Sequence, residues 1–316
     1  GIPNGQENLK VTPIDNTSIY DSYGNPASYN QQNNEINLTS KIIPYITNII
    51  LQNDNSSIDV TFSEVVYDTS SGSGILEVSD FNLSITGGVA TINSTPSTIS
   101  SSDNITFTLN LDILGTPNGS ELLTVRPSTN SIYDNDGNVC SVSQSNNTVN
   151  LNEKIVPIIT NTSINNDNSI ITITFNETVF NSSSGTGNLE FSDFTLSCSV
   201  GGVLASTTPA TISQSGNVYS LGISLNISDT YGQEVITVQP YSNTSIYDSA
   251  GNAASTTQNN NTVSLREQIL PYITMLSINS DNSLLTVTFN EKVYSTDSGT
   301  GNLETNDFIL SITNGY

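Results

Sequence analysis

Apolar and polar residues alternate in short runs along the chain. The clearest run is Ile170-Ile-Thr-Ile-Thr-Phe175, where Ile171, Ile173 and Phe175 share one face and Thr172 and Thr174 the other. Period-two alternation with β-branched residues predicts a half-buried strand. The pattern returns as Ile58, Val60, Phe62 and as Leu285, Val287, Phe289. Other inward sets are Phe194, Leu196, Cys198, then Tyr219, Leu221, Ile223, Leu225, then Ile236 with Val238. Val203-Leu-Ala reads as a hairpin partner after Gly201-Gly202, and Asn261-Thr-Val-Ser-Leu as a last strand. Turn signals such as Asn166-Asp-Asn-Ser and Ile246-Tyr-Asp-Ser-Ala-Gly-Asn separate the runs. No helical period occurs. About seven or eight short strands per unit predict an all-β protein built of β-sandwiches.

The unit repeats. Asp80, Asp193 and Asp307 mark equivalent places, 113 and 114 residues apart. A unit of that length can bury a core of its own. Residues 41–153 and 154–267 read as complete copies, residues 1–40 as the back part of one, and residues 268–316 as the front part of another. Pro44, Pro157 and Pro271 open their copies, where a first strand can spare one ladder donor. The links, such as Leu151-Asn-Glu-Lys-Ile, are short and carry no Gly/Ser spacer, which predicts a stiff linear rod of tandem domains. Tyr316 aligns near Gly202 and Gly1 near Ser228. Joining one chain's end to the next chain's start would omit roughly 25 residues, more than a typical strand. The expectation is a segment of a longer array; an intact native mass near 33.6 kDa would refute it.

Composition sharpens the picture. Apolar residues make up 34% and charged residues 11%, the gap being filled by Asn, Ser and Thr. Such a mix suits disorder, but the ordered alternation argues against it. The net charge of −23 opposes binding to nucleic acid, which needs basic side chains, and to anionic membrane surfaces. It favours solubility and repulsion between neighbouring chains, with a divalent cation as the other use. No run of ~20 apolar residues predicts a membrane span. Cys140 and Cys198 align with small or apolar residues of other copies, so both read as buried free thiols.

The order Phe-Ser/Asn-Glu (Phe62-Ser63-Glu64, Phe175-Asn176-Glu177, Phe289-Asn290-Glu291), Asp-Phe, then Asp-x-x-Gly-Asn (Asp21 to Asn25, Asp134 to Asn138, Asp248 to Asn252) resembles bacterial Ig-like tandem repeats of surface-layer proteins and large secreted adhesins. The resemblance covers the whole chain. It implies an Ig-like fold, display outside a cell, and no catalysis. It also implies calcium near domain junctions, although the acidic Asp-x-Asp runs expected there are missing.

The chain contains no His and no Trp, which removes His-based triads and His metal sites. Paired carboxylates would suit a glycosidase, but Glu177, Glu190 and Asp193 recur in every copy, and a threefold active site is not expected. The sequence therefore predicts no enzyme. Calcium takes carboxylate and carbonyl oxygens, and Glu64, Asp80, Glu177, Asp193, Glu291 and Asp307 are its candidate ligands. Asp134-Asn-Asp-Gly-Asn138 resembles the start of a calcium loop, but only its first acid persists in the other copies, which favours a turn. Gly72, Gly74, Gly185, Gly187, Gly299 and Gly301 read as loop glycines rather than a phosphate cradle. Tyr20, Tyr133 and Tyr247 read as corner tyrosines that bond backbone. Lys41, Lys154 and Arg266 sit at the links, either pairing with carboxylates or lying free. The expected role is a structural fibre, spacer or coat on a cell or virion surface. Its partners would be its own copies or other surface and coat proteins. The alternative is a calcium-dependent adhesin module for a glycan or protein receptor.

Overall fold

The computed structural model describes residues 1–313. Its regular structure is all-β, with antiparallel pairing throughout and only three short 3-10 turns. The chain divides into two compact units, one running from Gly1 to Ile155 and the other starting at Val156. Each unit contains one β-sandwich with a closed core.

In the second unit the strands are, in order, β12 (Ile159–Ile164), β13 (Ile170–Phe175), β14 (Phe194–Cys198), β15 (Thr211–Ser215), β16 (Val218–Gly222), β17 (Val235–Pro240) and β18 (Thr262–Ser264). They form a four-stranded sheet ordered β12-β13-β16-β15 and a three-stranded sheet ordered β14-β17-β18. The first unit repeats this plan. Its strands β3 (Ile46–Leu51), β4 (Ser57–Phe62), β8 (Thr106–Asn110) and β7 (Thr98–Ser100) make one sheet. Strands β11 (Thr148–Asn150), β10 (Leu122–Pro127) and β5 (Phe81–Thr86) make the other. A small pair, β6 (Thr91–Ile92) with β9 (Ile113–Leu114), is added at one side. Outside the sandwiches, β1 (Asn8–Lys10) pairs with β2 (Glu35–Asn37), and β19 (Ile273–Ile278) pairs with β20 (Leu285–Phe289).

The alternation explains the layering. In β13 the inward residues Ile171, Ile173 and Phe175 are buried, while the threonines between them are half-exposed. Leu196, Ile236 and Val238 face them from the other sheet. Three aromatic rings centre each core. Phe62 meets Phe107 edge-on at 5.9 Å and 87°, with Phe81 beside them. Phe175 meets Tyr219 at 5.9 Å and 88°, with Phe194 beside them. Such edge-to-face contacts add to the burial of the rings. Burial pushes the Tyr219 hydroxyl up to about 12, and that hydroxyl lies 3.4 Å from the Val179 carbonyl.

Two strand expectations need correction: the strand predicted through Leu225 ends at Gly222, with Ile223 and Leu225 beyond it, and the second concerns the hairpin partner. Val203-Leu-Ala forms no strand; Leu204 makes a single bridge with Leu225 instead of pairing with β14. The edge strands β15 and β7 were not predicted; each carries one half-buried apolar residue and so lacks an inward set. Both thiols are free, as expected, but only Cys140 is buried; Cys198 is half-buried. Burial pushes the Cys140 thiol up to about 12, against a hydrogen bond from Gln144 that lowers it.

Candidate functional site

The recurrent acids fall into three groups, and the first caps backbone. Asp80, Asp193 and Asp307 each end a 3-10 turn: Val78–Asp80, Phe191–Asp193 and Thr305–Asp307. Their Oδ2 atoms accept the backbone N–H of Glu77, Glu190 and Glu304 at 2.7, 2.8 and 2.8 Å. An acid three residues on from an amide satisfies a donor the short turn leaves open. Burial raises the Asp80 carboxyl above its ordinary range; the Glu77 amide opposes this, and the charges of Asp68 and Glu77 add to it. Burial raises Asp193 in the same way, with the Glu190 amide lowering it and the Glu190 charge raising it.

The second group lies at the closing turn. The Asp134 Oδ1 accepts the N–H of Asp136 at 2.9 Å and of Asn138 at 2.7 Å, and its Oδ2 accepts the Asn138 amide at 2.7 Å. Asp248 does the same with Ala250, Asn252 and the Asn252 side chain, each at 2.8 Å. Asp21 repeats it with Tyr23, Asn25 and the Asn25 side chain, each at 2.9 Å. This is an Asx-type turn, and the donors that surround the carboxylate are those a cation would have to displace. Gly137 holds φ +79 there, and a Cβ on it would lie 2.7 Å from the Ser70 carbonyl. The Ser/Gly loop that contains Ser70 is therefore packed closely against the turn, and Tyr67 and Tyr133 exchange backbone hydrogen bonds of 2.7 and 2.8 Å beside it. The Tyr133 hydroxyl donates to the Asn130 carbonyl at 2.9 Å. Glu64 and Glu177 sit beside these turns. Burial raises Glu64, helped by the charges of Asp134 and Asp136; burial raises Glu177, helped by Asp248.

Glu291 and Asp307 are exposed. Glu291 lines a groove of about 470 Å³ with Asp229, Tyr231, Glu267 and Tyr272. The residues present do not fit a calcium ion, which takes about six to eight oxygens. The six predicted ligands separate into capping acids, turn neighbours and a groove residue. Among the described residues no group of three or more His, Cys, Asp or Glu side chains converges to hold a metal.

The third group was not singled out from sequence. Glu121 and Glu234, the residues just before β10 and β17, are buried. Glu121 accepts N–H groups from Val89 at 2.8 Å, Ala90 at 3.1 Å and Asn118 at 3.0 Å. Burial alone would raise this carboxyl, but those amides outweigh it and hold it at about 2. Glu234, accepting from Tyr231 and Gln233, is lowered for the same reason, again against burial. Buried asparagines form a further pair. The Asn55 side chain donates to the Asn152 carbonyl at 2.8 Å and accepts its N–H at 2.9 Å. Asn168 does so with Arg266, at 2.8 Å each way. Each ties the first hairpin's turn to the segment that closes the sandwich. Glu7, Glu121, Glu234 and Asn55, Asn168, Asn282 all recur at the repeat spacing, which is the signal that marks them. Of the link cations, Lys154 adds to the lowering of Asp54, after that carboxylate's hydrogen bonds to Ser56.

No protein-family model matches the chain, and no curated protein matches its sequence.

Proposed function

We propose that this chain is a non-enzymatic structural protein, a series of Ig-like sandwiches serving as a fibre, spacer or coat on a cell or virion surface. One observation carries the reading. The turn and capping acids that recur from copy to copy are engaged by backbone N–H groups of their own copy, so their repetition serves the fold. The strand order supports the Ig-like part: first, second, fifth and fourth strands in one sheet, third, sixth and seventh in the other, as in constant-type Ig domains. The Asn/Ser/Thr-rich exterior and the charge of −23 suit a solvated surface that repels its neighbours. Neighbouring copies and other surface or coat proteins are the proposed partners.

The groove lined by Tyr231, Tyr272 and Glu291 favours a second reading, an adhesin module for a glycan or protein receptor. Both tyrosines are well exposed there. Thermal melting with calcium and with a chelator separates the two. The spacer reading expects superimposable curves. A large calcium-dependent rise would overturn it in favour of a cation-dependent adhesin.

A further inference from the structure

In the second sandwich, β15 ends its four-stranded sheet, and no strand among the described residues pairs with its outer side. Its pairing with β16 is regular, from Thr211 opposite Gly222 to Ser215 opposite Val218. Gly216, at φ 60, and Asn217 make the turn between the two strands. The pair that flanks a two-residue turn exchanges hydrogen bonds, and pairs along an antiparallel ladder then alternate. Thr211, Ser213 and Ser215 therefore bond inward to β16. The N–H and C=O groups of Ile212 and Gln214 point away from the sheet, as a short row of donors and acceptors.

The other edges of this sandwich are protected. β12 carries the register slip between Ile159 and Asn161 and follows Pro157. β14 is covered where the Leu196 N–H donates to the Thr207 carbonyl at 2.6 Å. β18 is three residues long. Slips, prolines, short strands and charges are how proteins keep sheet edges from pairing. β15 has five residues and contains no proline, no slip and no charge. Its equivalent in the first sandwich, β7, has three. There the chain turns away at Asp103, whose Oδ1 accepts the N–H groups of Ile105 and Thr106 at 2.9 Å each.

We propose that β15 is an interaction surface for the β15 of a second copy of this chain, the two strands pairing antiparallel about a twofold axis at Ser213. A charge of −23 drives copies apart over most of their surface, but residues 194–228 carry no charged side chain. The twofold puts Thr211 opposite Ser215, Ile212 opposite Gln214 and Ser213 opposite itself. In that register Ile212 of each copy exchanges both backbone hydrogen bonds with Gln214 of the other. The opposed side chains are hydroxyls, an amide and Ile212, which is half-buried against its own core and meets its twin diagonally. No like charges face each other. Two four-stranded sheets become one continuous sheet, and such a contact, being isologous, closes at two molecules. Every residue involved lies within one complete sandwich, and the contact is independent of the surface role proposed above.

The test uses the full chain. Sedimentation across a concentration series is expected to show mass rising from 33.6 kDa to twice that value and no further. Gln214→Pro removes an N–H that points away from β16, a donor an edge strand can spare. Ser213→Lys sets two ammonium groups face to face. Each should abolish the rise and leave the circular dichroism spectrum unchanged. Register is read by cross-linking in a background of Cys140→Ala and Cys198→Ile, residues that other copies carry at those places. Ser213→Cys should form a disulfide dimer in high yield, because a pair without mutual hydrogen bonds brings its Cα atoms within about 4.5 Å. Ser100→Cys, the equivalent in β7, should stay monomeric. A single mass at all concentrations overturns the proposal, as does a rise that both Gln214→Pro and Ser213→Lys leave intact. Equal cross-linking of Ser213→Cys and Ser100→Cys overturns it too, because the contact would then not select β15.

Discussion

The two sandwiches are close to duplicates, so each serves as a control for the other. Where they agree, the fold is the reason. Both place three aromatic rings at the centre, an acid at the end of the 3-10 turn, a buried glutamate under backbone amides and an asparagine against the closing segment. Where they differ, the fold has tolerated a choice. Phe107 stands where the other copy has Tyr219, and Asp68 stands where it has Asn181. Asp68 Oδ1 is a buried oxygen with no hydrogen-bond partner, whereas the amide at Asn181 carries no charge to desolvate. The comparison teaches that the capping, turn and buried acids common to both copies are held by backbone amides, whereas Glu64 and Glu177 recur without such partners.

The largest way to break the comparison is to hollow one core. Phe175→Ala should cost about 3–5 kcal/mol. Scanning calorimetry should show one transition lowered and the other unmoved; a joint shift would show that the two cores unfold together. Next is Glu121→Ala, which leaves the amides of Val89, Ala90 and Asn118 without an acceptor. An unpaired buried donor costs about 1–3 kcal/mol, so the loss should exceed that of any exposed acid. Its pH dependence is signed. The folded carboxyl sits at about 2, below an unfolded value of ~4.3. Its stabilisation is therefore complete above ~pH 4.3 and disappears as pH falls through about 2. Urea titrations between those limits should show wild type weakening while Glu121→Ala changes less.

Asn168→Ala and Asn55→Ala should follow, at about 1–3 kcal/mol each. The two losses should be similar, because each side chain makes a third bond at 3.1 Å, Asn168 donating to the Thr230 hydroxyl and Asn55 accepting from the Asn152 side chain. The smallest effect has the opposite sign. Glu64→Gln and Glu177→Gln should stabilise the protein at neutral pH by under ~1 kcal/mol. Both carboxyls are raised in the folded state, so the native form favours their protonation. Their contribution is present below the unfolded value and is lost as pH rises through the folded one. Equal stability of variant and parent from pH 4 to 8 would remove that account.

Much of the fold was legible. Ile171, Ile173, Phe175, Leu196, Ile236 and Val238 were assigned inward from period two and are buried, because two packed sheets demand that alternation. The polar edge strand at Thr211–Ser215 was not legible, since an edge that covers the core with one residue leaves no pattern. The site was legible as recurrence and illegible as purpose. Asp80 and Asp193 look like ligands in a string of letters, and only the Glu77 and Glu190 amides reveal what their oxygens receive. Glu121 and Asn168 pass unnoticed because a buried acid and a buried amide follow no local rule; their partners lie 31 and 98 residues away.

The pairing of each first strand slips by one residue, between Ile46 and Asn48, Ile159 and Asn161, and Ile273 and Met275. That extra residue bends the margin of the sheet and spoils the even row of amides and carbonyls a foreign strand would need. Crowded side by side, such molecules would resist zipping into amyloid-like ribbons along this border.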